Sequence, residues 1–187
     1  MMFSFRRLTR EDFDLLAEWL AEPHVHEWWN HEFTPDALDS EFGPTADGDE
    51  PAEDYVVLLD GEPVGVVQYC HFVDYPEYVE EMADVYPVGE GAVSIDYLIG
   101  DPDRVGRGVG TAMILAFVER IWVRDERATH VVVPVNSANE RSWRALLGAG
   151  FRLVARGELE PDSPRHDPTH EILRVDRPGE PVDRTAS

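Results

Sequence analysis

The spacing of apolar positions divides the chain into segments of two different periods. Phe3 to Leu8 alternates as a strand does, after which Thr9-Arg10-Glu11-Asp12 reads as a capping box and Phe13, Leu16, Trp19 and Leu20 recur at helical spacing. Pro23 interrupts that helix, His24 to Trp29 predicts a further short helical turn, and Thr34-Pro35 caps and begins a third helix. Gly, Pro, Asp and Glu dominate residues 43 to 54, which predicts a loop. Tyr55 to Leu59 and Val64 to Phe72 are β-rich runs around Asp60-Gly61, a dipeptide that tolerates positive φ, and together they predict a hairpin. Residues 74 to 90 read as an irregular acidic insertion.

Downstream the alternation of types is regular. Ala92 to Ile99 predicts a strand, Gly108 to Val123 a long apolar helix and Thr129 to Val135 a buried Val-rich strand. A helix follows over Asn139 to Leu147, ended by Gly148 and Gly150, then strands over Phe151 to Ala155 and His170 to Val175. Strands interleaved with helices in this order predict an α/β fold with a single mixed central sheet flanked by helices. Nothing repeats and no linker appears, so residues 1–176 are expected to form one domain. The Pro-rich, charged segment 177–187 is expected to be a disordered tail.

Charge narrows the partners. The chain carries 38 Asp and Glu against 16 Arg, has no Lys, and has a formal net charge of −22. Such a balance argues against a nucleic acid or an anionic membrane as partner, since both reward clustered cations. The first hundred residues hold 24 acidic side chains and 3 Arg, a net of −21, whereas the remainder holds 14 and 13, a net of −1. That asymmetry suits a first half that attracts a cation and a second half that holds an anion, although an acidic solubilising surface has the same composition. Cys70 is the single cysteine and excludes an internal disulfide; the start of the chain lacks the apolar run of a signal peptide, and no stretch reaches 18 apolar residues. The expected setting is therefore the cytoplasm.

The segment richest in chemistry is Ile95-Asp96-Tyr97-Leu98-Ile99-Gly100-Asp101-Pro102-Asp103-Arg104-Val105-Gly106-Arg107-Gly108-Val109-Gly110-Thr111. A strand ends, and glycines at every second position lead into a helix, so backbone N–H groups can converge on an anion at the helix's positive end. Arg104 and Arg107 can add charge. The spacing is neither that of the P-loop, which needs a lysine, nor G-x-G-x-x-G.

Here the chain resembles the GNAT superfamily of N-acetyltransferases, whose acetyl-CoA loop reads [Q/R]-x-x-G-x-[G/A] between a strand and a helix. Val105-Gly106-Arg107-Gly108-Val109-Gly110 matches its glycines, with Val105 at the usual Gln or Arg position. The stretch from Val132 to Asn139, followed by a helix and Gly148-Ala149-Gly150-Phe151, is similar to the second family signature, N-x6-Y-x3-G-F. Within the superfamily the likeness is to aminoglycoside 6′-N-acetyltransferases, on Leu15 to Leu20, Glu27-Trp28-Trp29, Gly61-Glu62-Pro63-Val64-Gly65 and Ile95-Asp96.

The resemblance implies splayed strands around an acetyl-CoA site and direct acetyl transfer from the thioester to a primary amine of a cationic small molecule, in the 6′-N type an aminoglycoside. It implies acetyl-CoA as co-substrate and no metal, and a monomer or homodimer. Asp96 would be the general base, because an ammonium must lose a proton before it attacks. The backbone N–H near Leu98 would polarise the thioester carbonyl. Leu98, Ile99, Arg104, Val105, Gly106, Arg107, Gly108, Val109, Gly110 and Thr111 would hold CoA. Asn139 would bind the pantetheine arm or serve as a helix cap.

For the acceptor, Trp28, Trp29 and Tyr78 offer faces to sugar rings, and Glu80, Glu81, Asp84 and Asp96 offer carboxylates to ammonium groups. An exposed pair contributes about 0.2 to 1 kcal/mol, so several are needed. Two departures stand out: Leu146 occupies the position of the family's tyrosine acid, and Pro134 the position of an acidic substrate ligand. Siderophore-type amine or hydroxylamine N-acyltransferases share the layout and form an alternative, and Leu146 leaves a non-catalytic acyl-CoA sensor as another. Cys70 reads as a small core residue. His24, His26 and His31 match no common zinc spacing.

Overall fold

The computed structural model describes residues 1–161 and 163–179. Seven strands form one sheet in the order β1-β2-β3-β4-β5-β7-β6: β1 Phe3–Arg7, β2 Glu53–Leu59, β3 Glu62–His71, β4 Ala92–Ile99, β5 His130–Asn136, β6 Arg152–Glu158 and β7 Thr169–Asp176. All neighbours are antiparallel except β4 and β5. The helices are α1 Phe13–Ala21, α2 Pro23–Trp29, α3 Pro35–Asp47, α4 Pro76–Ala83, α5 Val109–Arg124 and α6 Glu140–Gly148.

Strand alternation divides the core between the two sheet faces. Tyr55, Val57, Val93, Ile95, Val131 and Val133 turn to α5 and α6, where Phe117 is buried. Phe5, Tyr55 and Tyr69 meet the Phe117 ring edge-on at centroid distances of 5.0, 5.4 and 6.2 Å. Such aromatic contacts contribute about 0.5–1.5 kcal/mol each beyond their buried area. Val56, Val66 and Leu98, one residue out of phase, pack on Leu16, Trp19 and Leu20 of α1 and Leu38 and Phe42 of α3. A third cluster joins Phe72, Met82 and Tyr86 to Val132 and Ile172 under α4.

Three expectations change. Residues 43–47, read as loop, continue α3 in spite of Pro44, because Leu38, Phe42 and Thr45 bury their side chains on the sheet; Gly48, with φ 80°, ends the helix. Tertiary packing here outweighs the local breakers. Within the segment 74–90, Pro76 starts α4, and buried Met82 draws it onto the sheet while its acidic side chains face water. Arg177, the first residue of the expected tail, is docked: its guanidinium donates to the carbonyls of Trp122 at 2.6 Å and Ala128 at 2.8 Å, and to that of Asp125. Residues 180–187 of that tail lie outside the described residues. No described helix is long and apolar enough to cross a membrane.

Candidate active site

The parallel strands β4 and β5 pair only at Ala92↔His130 and Val93↔Val131, then diverge. Beyond that point β4 keeps β3 on one side and faces an open wedge on the other. The wedge opens into a cleft of about 890 Å³, walled by β4, the 104–111 loop, α6 and α2.

One end of the cleft suits an anion. Gly106 and Gly108 have φ of 76° and 78°, the left-handed region where a Cβ is disfavoured, and they turn the chain so that α5 starts at the cleft. Gly108 is the N-cap of α5 and supplies no side-chain cap, so the first-turn N–H groups remain available to a ligand. Arg104 lines the cleft while paired with Asp101 at 3.0 Å, and Arg141 and Arg144 of α6 face it from the other side. An anionic group the size of a diphosphate would find backbone donors, cations and room for close approach at this end of the cleft.

The residues expected around CoA separate into two groups. Leu98, Ile99, Arg104, Val105, Gly106, Gly108, Gly110, Thr111 and Asn139 all line the cleft. Arg107 is exposed and lies outside that lining, and the Val109 side chain is buried in the α5 core, since the first helical residue turns inward. Asn139 caps α6, accepting the Ser142 N–H on Oδ1 at 3.2 Å, a role compatible with its place in the wall.

The expected oxyanion donor is corrected by strand parity. Gly100 N–H donates to the Val64 carbonyl at 2.9 Å, and alternate residues of a strand direct their N–H groups to the same side. The Leu98 N–H is thus turned to β3, in register with Val66, while those of Tyr97 and Ile99 face the wedge. The Ile99 carbonyl faces it too, accepting from His24 Nε2 at 2.8 Å, which fixes that nitrogen as the protonated one.

Tyr97 is a site residue that the sequence reading missed. Its hydroxyl lies 2.7 Å from the Ser142 hydroxyl within the cleft wall. Burial raises the phenol above its ordinary pKa, the Ser142 hydrogen bond partly offsets this, and the nearby Asp96 charge adds to it. Leu146, in contrast, is fully buried in the α5–α6 core. Arg141 and Arg144, three apart on α6 just after the Asn139 cap, were legible as a helix face but not as a cleft wall.

Asp96 is exposed, lies outside the cleft lining and sits two residues before Leu98 on the α1–α3 face of β4. Burial pushes the Cys70 thiol up to about 12, with the charge of Asp96 contributing, so Cys70 remains a protonated thiol and no nucleophile. On α4, Tyr78 stacks on Tyr75 at 5.3 Å, and its phenol is raised by burial and then by Cys70 and Asp96. Glu80, Glu81 and Asp84 do not line the cleft; they are exposed, and Glu81 accepts the Glu160 N–H at 3.1 Å. Trp28 and Trp29 do line it: Trp28 stacks on His166 at 4.5 Å, and Trp29 packs against the α1–α3 cluster. Among the described residues no group of three or more His, Cys, Asp or Glu could hold a metal ion.

Comparison with known proteins agrees with this geometry. The acetyltransferase (GNAT) domain family matches residues 9–159. Over 152 residues, 79% of this chain and 73% of the relative, the chain is 30% identical to aminoglycoside N(6′)-acetyltransferase type 1 of Klebsiella pneumoniae, and to the same extent to that of Serratia marcescens. Its fold superposes on a structure of aminoglycoside acetyltransferase AAC(6′)-Ib with paromomycin and acetyl-CoA, with TM-score 0.78, 24% identity and coverage of 95% and 94% of the two chains. It also matches an aminoglycoside N(6′)-acetyltransferase of Legionella pneumophila, with TM-score 0.67, 22% identity and coverage of 94% of each chain. The wedge between β4 and β5, the glycine loop and the extended match together establish that this chain belongs to the GNAT acetyltransferase family.

Proposed function

We propose that the chain transfers the acetyl group of acetyl-CoA directly to a primary amine of a cationic small molecule, the 6′-amine of an aminoglycoside. The observation that carries this reading is one continuous cleft, with helix N–H groups that have no side-chain cap and arginines at one end and tryptophans at the other. Acetyl-CoA supplies an activated thioester carbonyl. The first turn of α5, with Arg104, Arg141 and Arg144, holds the phosphates. The wedge-facing N–H of Tyr97 or Ile99 polarises the carbonyl oxygen.

Asp96 binds the incoming ammonium and takes its proton, directly or through water, so that the amine lone pair attacks. Attack forms the C–N bond and breaks the C–S bond; the electron pair leaves on sulfur, and the extra proton on the attacking nitrogen passes to water or to that thiolate, leaving a neutral amide and CoA. With Leu146 unable to donate, the Tyr97 hydroxyl stabilises the departing thiolate by a hydrogen bond.

The test is a thiol-release assay over kanamycin, paromomycin, linear polyamines and amino acids. Turnover with aminoglycosides, lowered about 100-fold or more by Asp96→Asn, is expected. CoA binding without transfer to any amine would overturn the reading, and faster turnover with longer acyl-CoA donors would replace it with a siderophore-type acyltransferase.

A further inference from the structure

On the α1–α3 face, Asp54, Gln68 and Asp96 form one row across β2, β3 and β4: Asp54 is in register with Gln68, and Gln68 with Asp96. The next row, Val56, Val66 and Leu98, is core. A polar row therefore begins where the hydrophobic core ends, and it leads from a buried carboxyl to the exposed carboxylate assigned above as the base.

Asp54 is 1% exposed. Its Oδ1 accepts from Gln68 Nε2 at 2.9 Å, and its Oδ2 meets the Thr45 hydroxyl. That hydroxyl owns one hydrogen and also lies 3.0 Å from the Phe42 carbonyl, which can only accept. A neutral Asp54 satisfies the whole chain: Oδ2–H donates to Thr45, Thr45 donates to Phe42, and Oδ1 accepts from Gln68. An ionised carboxylate would be buried with too few donors. Burial raises the carboxyl above its ordinary range, opposed by its contacts with Thr45 and Gln68 and by the charge of Arg7, with Glu50 adding a smaller push in the same direction as burial.

The consequence falls on Gln68. With its nitrogen committed to Asp54 on β2, the planar amide has its oxygen on a different side, and β4, with Asp96 in register with Gln68, is the strand on the other flank. An acceptor amine at Asp96 then meets a carboxylate and an amide oxygen side by side. We infer that Asp54 is a positioning residue, held as a neutral acid, that fixes Gln68 so that its side-chain oxygen accepts a hydrogen bond from the incoming ammonium beside Asp96. The inference rests on the reading of Asp96 as the acceptor-binding base.

Steady-state thiol release with kanamycin, calorimetric binding of kanamycin to the CoA-loaded protein and infrared spectra test it together. Loss of one hydrogen bond to a charged group predicts that Gln68→Met raises the kanamycin KM and Kd about tenfold or more while the acetyl-CoA KM stays within about twofold. Asp54→Asn keeps the wild-type kanamycin KM, because Asn can accept from Gln68 and donate to Thr45. Asp54→Leu raises that KM as Gln68→Met does, and the double variant adds nothing. The wild type shows a carboxylic-acid carbonyl band at neutral pH that Asp54→Asn removes.

Absence of that band, or an unchanged kanamycin KM and Kd in Gln68→Met, would overturn the inference. Kanamycin binding that weakens in Gln68→Met without turnover in the wild type would overturn the catalytic reading alone. Absence of both turnover and kanamycin binding would overturn the two together.

Discussion

The hydroxyls of Tyr97 and Ser142 meet at 2.7 Å, joining the end of β4 that has parted from β5 to the first turn of α6. This places a phenol in the wall of the cleft that also holds the glycine loop, while the side chain of Leu146, one helical turn beyond Ser142, is sealed in the core. Tyr97→Phe removes the hydroxyl and keeps the ring. Its expected effect is a fall in kcat of about tenfold with both KM values retained, the signature of a contact made only as the thiolate departs. An unchanged kcat under saturating substrates would mean that the thiolate leaves unaided.

Gly108 has φ 78° at the N-cap of α5. A Cβ in the left-handed region costs about 1–2 kcal/mol, so Gly108→Ala is expected to lower thermal stability and to raise the acetyl-CoA KM more than the amine KM. Thermal unfolding with and without CoA, alongside initial rates, reads both effects. A raised amine KM with an unaltered acetyl-CoA KM would contradict the placement of the phosphates at this loop.

The net charge of −21 over the first hundred residues predicts electrostatic capture of a polycation. Surface attraction is screened within about 8 Å at physiological ionic strength, so the kanamycin KM is expected to rise with added salt while the acetyl-CoA KM follows a different dependence. A salt-independent kanamycin KM would leave the acidic surface with solubility alone.

Asp125, just beyond α5, accepts from Tyr69 at 2.6 Å and from His71 at 2.5 Å. Burial opposes its ionisation, but the hydrogen bonds from Tyr69, His71 and the Arg127 N–H prevail and hold the carboxyl at about 2. A folded-state value below the unfolded one contributes stability above the ordinary carboxylate range that is lost as pH falls toward 2. Asp125→Asn is therefore expected to be less stable than wild type at neutral pH, with the gap closing between about pH 4 and pH 2. Denaturant unfolding across that window measures it, and a gap that stays constant would contradict the assignment.

The sequence by itself determined the order of strands and helices from β4 onward, because there period and composition agree: Val-rich buried strands, an apolar α5 and glycines at the turns. It also determined the glycine-rich turn into α5, since glycine spacing is a local property of the chain. The α3 extension and α4 were not legible. Their breakers and acidic side chains outweigh a few apolar positions when read locally, and only docking of Phe42 and Met82 on the sheet reverses that balance. The tertiary structure alone decided which N–H groups of β4 face the wedge, because that depends on pairing with β3 rather than on residue type. It alone also brought Tyr97 to Ser142, Arg141 and Arg144 to the glycine loop, and Asp54 to Gln68 and Asp96. Each of these relations crosses from one strand or helix to another, and the register that aligns them is fixed by packing on both faces of the sheet.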